Sequence, residues 1–241
     1  MTMTIDDTKN NKKRIHITSL TIILASALMV TSIGPAIGNA YAVNCTSTYG
    51  QHCYAVHEFY PSTSANGVGS TYKVYNNYIT AGWVDSATWA ALTNGRLAET
   101  GWNTPSGQSQ SVFYAAVDGI IQKTWGTPTN GASYTFYTHD DAKNNIWTMT
   151  VNGGYYQQNL GGYTANILET GYEKTYTDST ISTNNYSNLL LVRDGIWYNW
   201  SSSQGSHGTN VVPTSLYYVL YCNDAPYSHS QHGNTPAPGS C

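Results

Sequence analysis

Between residues 66 and 195 the chain is punctuated by Asn66-Gly67, Asn94-Gly95, Asp118-Gly119, Asn130-Gly131, Asn152-Gly153 and Asp194-Gly195. Several of these are dipeptides suited to the type I′ turn, in which two residues with positive φ join antiparallel strands of matching twist. The runs between the turns are rich in Tyr, Trp, Thr and Val, residues that suit a pleated surface. Examples are YAVHEFY at Tyr54–Tyr60, STYKVYNNYI at Ser70–Ile79, SVFYAAV at Ser111–Val117, SYTFYTH at Ser133–His139, LLLVRDGIWYNW at Leu189–Trp200 and SLYYVLYC at Ser215–Cys222. Short strands at close intervals predict an all-β fold, an antiparallel β-sandwich of the jelly-roll kind. Helical signal is confined to Asp85–Leu92 (DSATWAAL), where Asp85 can cap a run of small and apolar residues before Asn94-Gly95.

The first 42 residues read as a signal peptide. Lys12, Lys13 and Arg14 form a basic start, Ile17 to Ile33 is apolar, and Ala40-Tyr41-Ala42 supplies a small-x-small cleavage site. The expected mature chain is a single domain, a β-sandwich over residues 43–222 with an irregular tail over 223–241 that is rich in Ser, His, Pro and Gly. Cys45, Cys53, Cys222 and Cys241 all lie beyond the cleavage site. An even number of cysteines in an exported chain predicts two disulfides, with the pairing open. The expected location is extracellular, with no membrane contact beyond export. A net charge of −3 leaves no basic footprint for nucleic acid. A monomer needing no cofactor is expected.

Two segments carry the chemical signal. LAETGW at Leu97–Trp102 and ILETGY at Ile167–Tyr172 both place Glu-Thr-Gly inside an apolar run of a chain that is only 10% charged. In strands alternate side chains share a face, so Leu97, Glu99 and Gly101 face one way, as do Ile167, Glu169, Gly171 and Glu173. A carboxylate between an aliphatic residue and a glycine suits the rim of a cleft that something approaches closely. On adjacent strands, about 4.8 Å apart, two such carboxyls share a water or a proton, and their pKa values split into those of an acid and a base.

LAETGW resembles the strand of eqolisin-type glutamic peptidases that carries their catalytic glutamine. TANILET at Thr164–Thr170 resembles their Ala-x-x-Ile-x-Glu strand, which carries the catalytic glutamate, and matches its Ile-x-Glu at Ile167 and Glu169. AETGW also resembles the neprosin-type relatives, whose first catalytic position is a glutamate. The resemblance implies a concanavalin-like jelly roll acting on polypeptides, with Glu99 and Glu169 as the acting pair, and because such a pair needs acid to hold its single proton, an acid endopeptidase active at low pH is expected. Glu173 is the alternative to Glu169, because Gly171-Tyr172-Glu173 better matches the neprosin-type Gly-Gly-Glu context. Trp102 and Tyr172, which end the two segments, are the expected substrate contacts.

Other readings compete. Exposed Tyr and Trp on a jelly roll suit a non-catalytic glycan-binding or cell-surface protein. Two carboxylates also suit glycoside hydrolysis, although Glu169 to Glu173 lacks the central aspartate of the usual signature. His52, His229 and His232 form no recognised metal-binding motif, and no metal is expected.

Overall fold

The computed structural model describes residues 52–77, 82–175, 181–212, 214–224 and 227–239. The proposed signal peptide, Cys45 and Cys241 lie outside them. Cys53 and Cys222 are both disulfide-bonded.

The described chain forms fifteen strands: β1 (Cys53–Pro61), β2 (Gly67–Lys73), β3 (Trp83–Leu92), β4 (Leu97–Pro105), β5 (Val112–Val117), β6 (Ile120–Trp125), β7 (Ser133–His139) and β8 (Ile146–Val151), followed by β9 (Gly154–Asn159), β10 (Ala165–Lys174), β11 (Asn184–Arg193), β12 (Ile196–Asn199), β13 (Gly205–Val212), β14 (Tyr217–Asp224) and β15 (Tyr227–Asn234). They build two antiparallel sheets. The first runs β13-β1-β10-β3-β4-β5-β6 and the second β14-β15-β11-β2-β7-β8-β9, with β12 paired to β11. The sandwich is jelly-roll-like, as the turn spacing predicts.

Three of the turn dipeptides adopt the expected mirror-image geometry. Asp118-Gly119, Asn152-Gly153 and Asp194-Gly195 have φ near 50° and then near 75°, and they close the β5–β6, β8–β9 and β11–β12 hairpins. Asn66-Gly67 instead leads into β2, where Gly67 lies against His139 of β7.

Two expectations are corrected. Asp85–Leu92 is the greater part of β3, a central strand, and not a helix. Its alanines favour a helix, but local propensity yields to tertiary pairing, and the strand alternation sends Ser86, Thr88 and Ala90 to one face and Asp85, Ala87 and Trp89 to the other. The tail over 223–241 is not irregular throughout either, since β15 pairs with β14 and β11.

The core between the sheets is aromatic. Phe59 stacks on Trp200 at 5.0 Å, Tyr72 on Phe136 at 4.3 Å, and Trp102 meets Tyr172 edge to face at 6.0 Å. Trp102 and Tyr172 are 0% and 1% exposed, so these two proposed substrate contacts are core residues on the face opposite the glutamates. Several hydroxyls turned into this layer are satisfied, although Trp102 Nε1 has no hydrogen-bond partner. Ser70 and Thr170 share a hydrogen bond of 2.8 Å, Thr170 donates to the Ala87 carbonyl at 3.2 Å, and Thr100 donates to the Tyr114 carbonyl at 3.0 Å.

Truncating Trp102 to Ala therefore removes packing and not a substrate contact. The expected cost is about 3–5 kcal/mol of unfolding free energy in a denaturant titration. A fully stable variant with raised KM would contradict this placement.

Candidate active site

The register of the first sheet assembles the carboxyls row by row on its outer face. Glu58 of β1 pairs with Glu169 of β10, Glu169 with Trp89 of β3, Trp89 with Glu99 of β4, and Glu99 with Ala116 of β5. Two residues along the strands, the row reads Val56, Gly171, Ala87, Gly101 and Tyr114. Two residues further are Tyr54, Glu173, Asp85 and Asn103. The chain contains four glutamates, Glu58, Glu99, Glu169 and Glu173, and all of them are on this face.

The two Glu-Thr-Gly segments now have a physical meaning. Glutamate stands on the outer face, threonine turns into the core, and glycine forms the floor. A Cβ on Gly101 would meet the Ser86 carbonyl oxygen at 2.2 Å, and one on Gly171 would meet that of Ala55 at 2.3 Å. Any side chain there would push neighbouring strands apart. The result is a trough of Gly171, Ala87 and Gly101 beside the row of carboxyls, walled by Val56 and Tyr114.

Glu99 and Glu169 are not on adjacent strands, contrary to the simplest sequence reading. β3 runs between them, so their strand axes are about 10 Å apart, twice the usual spacing. The carboxyls flank Trp89, which is buried between them and hydrogen-bonds Glu99.

The face is buried despite its charge. Glu99 is 5% exposed, Glu169 8%, Glu58 8% and Asp85 4%. Burial pushes Glu99 up to about 8, and the Glu173 charge adds to this, while hydrogen bonds from Tyr114 and Trp89 oppose it. Burial likewise lifts Glu169 to about 8, helped by the charges of Glu58, Glu173 and Glu99. Asp85 is held well above the carboxylate range by burial and by Glu173 and Glu99, and its Oδ1 has no hydrogen-bond partner. The Tyr114 hydroxyl donates to Glu99 Oε1, the Tyr60 hydroxyl donates to Glu58 Oε2, and His52 Nδ1 bonds Glu173 Oε1. The bond to Glu173 raises the His52 pKa, and Tyr54 meets the same imidazole nitrogen at 3.3 Å.

The fold is shared with solved peptidases. One crystal structure of scytalido-glutamic peptidase with a transition state analog inhibitor superposes with a TM-score of 0.54 at 9% identity, covering 77% of this chain and 99% of that one. A second, with a peptide based transition state analog, gives 0.54 at 8% identity over 78% and 100%. This is a glutamic peptidase-like fold. No family model matches the chain, and no curated protein matches it in sequence.

The structure thus brings Glu99, Glu169 and Glu173 to one face and leaves Trp102 and Tyr172 on the other. Sequence reasoning missed Glu58, Asp85, Trp89 and Tyr114. Glu58 was findable, since it is one of only four glutamates and stands in a strand-like run. Asp85 and Trp89 were hidden by the helical reading of their segment. Among the described residues, no group of three His, Cys, Asp or Glu is arranged to hold a metal ion. His232, one of the histidines considered for metal, is buried on β15, bonded to Ser230 and the Ala55 carbonyl.

The raised carboxyls set a pH dependence of stability. Unfolded glutamates titrate near about 4.3. The folded protein holds these protons to about 8, so it binds more protons than the unfolded chain in between. This contribution is therefore fully present below pH 4 and is lost as pH rises toward 8. Glu99→Gln and Glu169→Gln are each expected to raise Tm by several degrees at pH 7.5, on the order of 1–3 kcal/mol, and by little at pH 4. Calorimetry at the two pH values checks this, and a shift independent of pH would count against buried, protonated carboxyls.

Proposed function

We propose that the chain is a secreted endopeptidase of the glutamic type, with Glu169 as general base and Glu99 as proton donor. The observation that carries this reading is the pair of buried carboxyls in one row of the sheet, flanking Trp89 and both raised toward 8. The peptidase-like fold supports it.

The assignment of roles follows from the chemistry. The resemblance of LAETGW puts Glu99 in the place of the glutamine of the eqolisin-type peptidases, a side chain that donates a hydrogen bond but cannot take up a proton. A protonated carboxyl does the same work. Glu169 shares its row, whereas Glu173 lies two rows away and is engaged by His52. Glu169 is therefore the preferred partner.

In this mechanism a water held by ionised Glu169 loses a proton to the carboxylate, and its oxygen attacks the peptide carbonyl carbon. The carbonyl π pair moves onto oxygen, which is stabilised by the Glu99 proton. Glu169 then passes its proton to the departing amine nitrogen as the C–N bond breaks. Glu99 keeps its proton when the carbonyl re-forms.

Activity requires Glu169 ionised and Glu99 protonated, so it is bounded on both sides and falls as pH rises and Glu99 loses its proton. Proteolysis of a denatured protein between pH 2 and 9 is the test. Glu169→Gln is expected to lower kcat by about 10²–10⁴-fold. Glu99→Gln, a permanent donor, is expected to retain part of the activity and to lose the alkaline decline. An inactive Glu99→Gln beside an active Glu169→Gln would reverse the roles, and activity unaffected in both would remove the reading.

One observation favours a second reading. On the outer face of the second sheet, Tyr137, His139, Leu190 and Trp197 line a depression of about 220 Å³. Partly exposed aromatic rings of this kind suit stacking on a sugar. Retention on a glycan panel that is lost in Trp197→Ala, by a sample with no proteolytic activity, would favour a glycan-binding protein.

A further inference from the structure

We propose that Tyr114 is the positioning residue of the site, its hydroxyl orienting the Glu99 carboxyl so that the oxygen bearing the proton faces the groove. The proposal rests on the peptidase reading for its kinetic consequence, and on geometry for its structural one.

Tyr114 sits on β5 opposite Gly101, the residue two positions beyond Glu99. With no side chain at Gly101, the tyrosine has a free path across the trough to Glu99. Its ring is 1% exposed and its hydroxyl donates to Glu99 Oε1. The same hydroxyl also interacts with Asp85 on β3. The backbone beneath is held as well, since the Tyr114 carbonyl accepts the Thr100 hydroxyl at 3.0 Å. When Glu99 is protonated, a donor on Oε1 leaves that oxygen as the carbonyl member of the acid. The proton is then on Oε2, the oxygen turned away from the Tyr114 hydroxyl. When Glu99 is ionised, the same donor stabilises the anion.

Several titratable groups surround Glu99. They are Tyr72 of β2, Asp85 of β3, Tyr114 of β5, and Glu169 and Glu173 of β10. Each carboxylate opposes ionisation of Glu99, whereas Tyr114 favours it. The two kinds of influence can therefore be told apart by sign.

With only four glutamates in the chain, selective ¹³C labelling of the glutamate carboxyl carbon gives four signals to follow against pH. Glu99→Gln identifies the signal of Glu99. Tyr114→Phe, which keeps the ring, is expected to move the Glu99 titration upward by about one pH unit, in line with the loss of one hydrogen bond to a charged group. Glu173→Gln is expected to move it downward. If Tyr114 merely filled space, its replacement would loosen the face, admit water and move the titration down or not at all, and either result overturns the proposal. In the active protein, Tyr114→Phe is expected to lower kcat about 10–100-fold with little change in KM, and to shift the alkaline decline the same way as the NMR titration. An inactive parent protein would defeat the peptidase reading, and the direction of the Glu99 titration shift would still decide whether Tyr114 orients that carboxyl.

Discussion

The register that locks β10, β3 and β4 together is the constraint on which the site depends. A slip of one residue in any of these strands would send its carboxyl into the aromatic core and its threonine into the groove. The slip is resisted from both sides. Thr170 and Thr100 have hydroxyl partners only in the present alignment, and an unsatisfied buried hydroxyl costs about 1–3 kcal/mol. On the outer face, Gly171 and Gly101 are the positions at which a Cβ would strike the backbone of the next strand.

Holding Glu99, Glu169 and Asp85 on one buried face works against the fold at neutral pH, because burial opposes the ionised form of each of the three. Buried histidines on the inner side respond in the opposite direction. Burial, together with the charges of His232 and His207, lowers His57 to about 2, and burial lowers His232 to about 3. Both stay neutral where the unfolded chain would take up protons, so their contribution is lost as pH falls from about 6.5 toward those values. Carboxyls that favour acid and histidines that oppose it offset each other between about pH 4 and 7, and the stability curve is flatter than either set alone would make it.

Much of the fold was legible because its signals are local. Asn152-Gly153 and Asp118-Gly119 specify their turns through two residues each, and alternation alone tells which side Glu99 and Glu169 occupy. What could not be read is which strands become neighbours. LAETGW and ILETGY look like partners, yet β3 lies between them, because strand order is decided by pairings between residues such as Leu168 and Ala90 that are far apart in the chain. The same non-local packing overrode the helical look of DSATWAAL. Trp102 and Tyr172 were assigned to the groove because they follow the glutamates closely, but the strand period of two puts them on the other side.

The two halves of the site also differ mechanically. Glu169 stands on β10, paired on both sides by β1 and β3, so its position is fixed by two ladders of hydrogen bonds. Glu99 on β4 is held the same way between β3 and β5, and each strand is two removed from an edge, but the edges differ: β13 on the Glu169 side is largely half-buried. Beyond β4 come β5 and then β6, an edge strand whose residues are exposed from Ile120 to Lys123 and whose pairing to β5 shifts register between Ala115 and Ala116. Edge pairing of this kind opens at low free-energy cost. The face therefore has a stiffer side and a more compliant one: displacement beside Glu169 meets resistance, while beside Glu99 it is taken up by deflection of the β5–β6 hairpin.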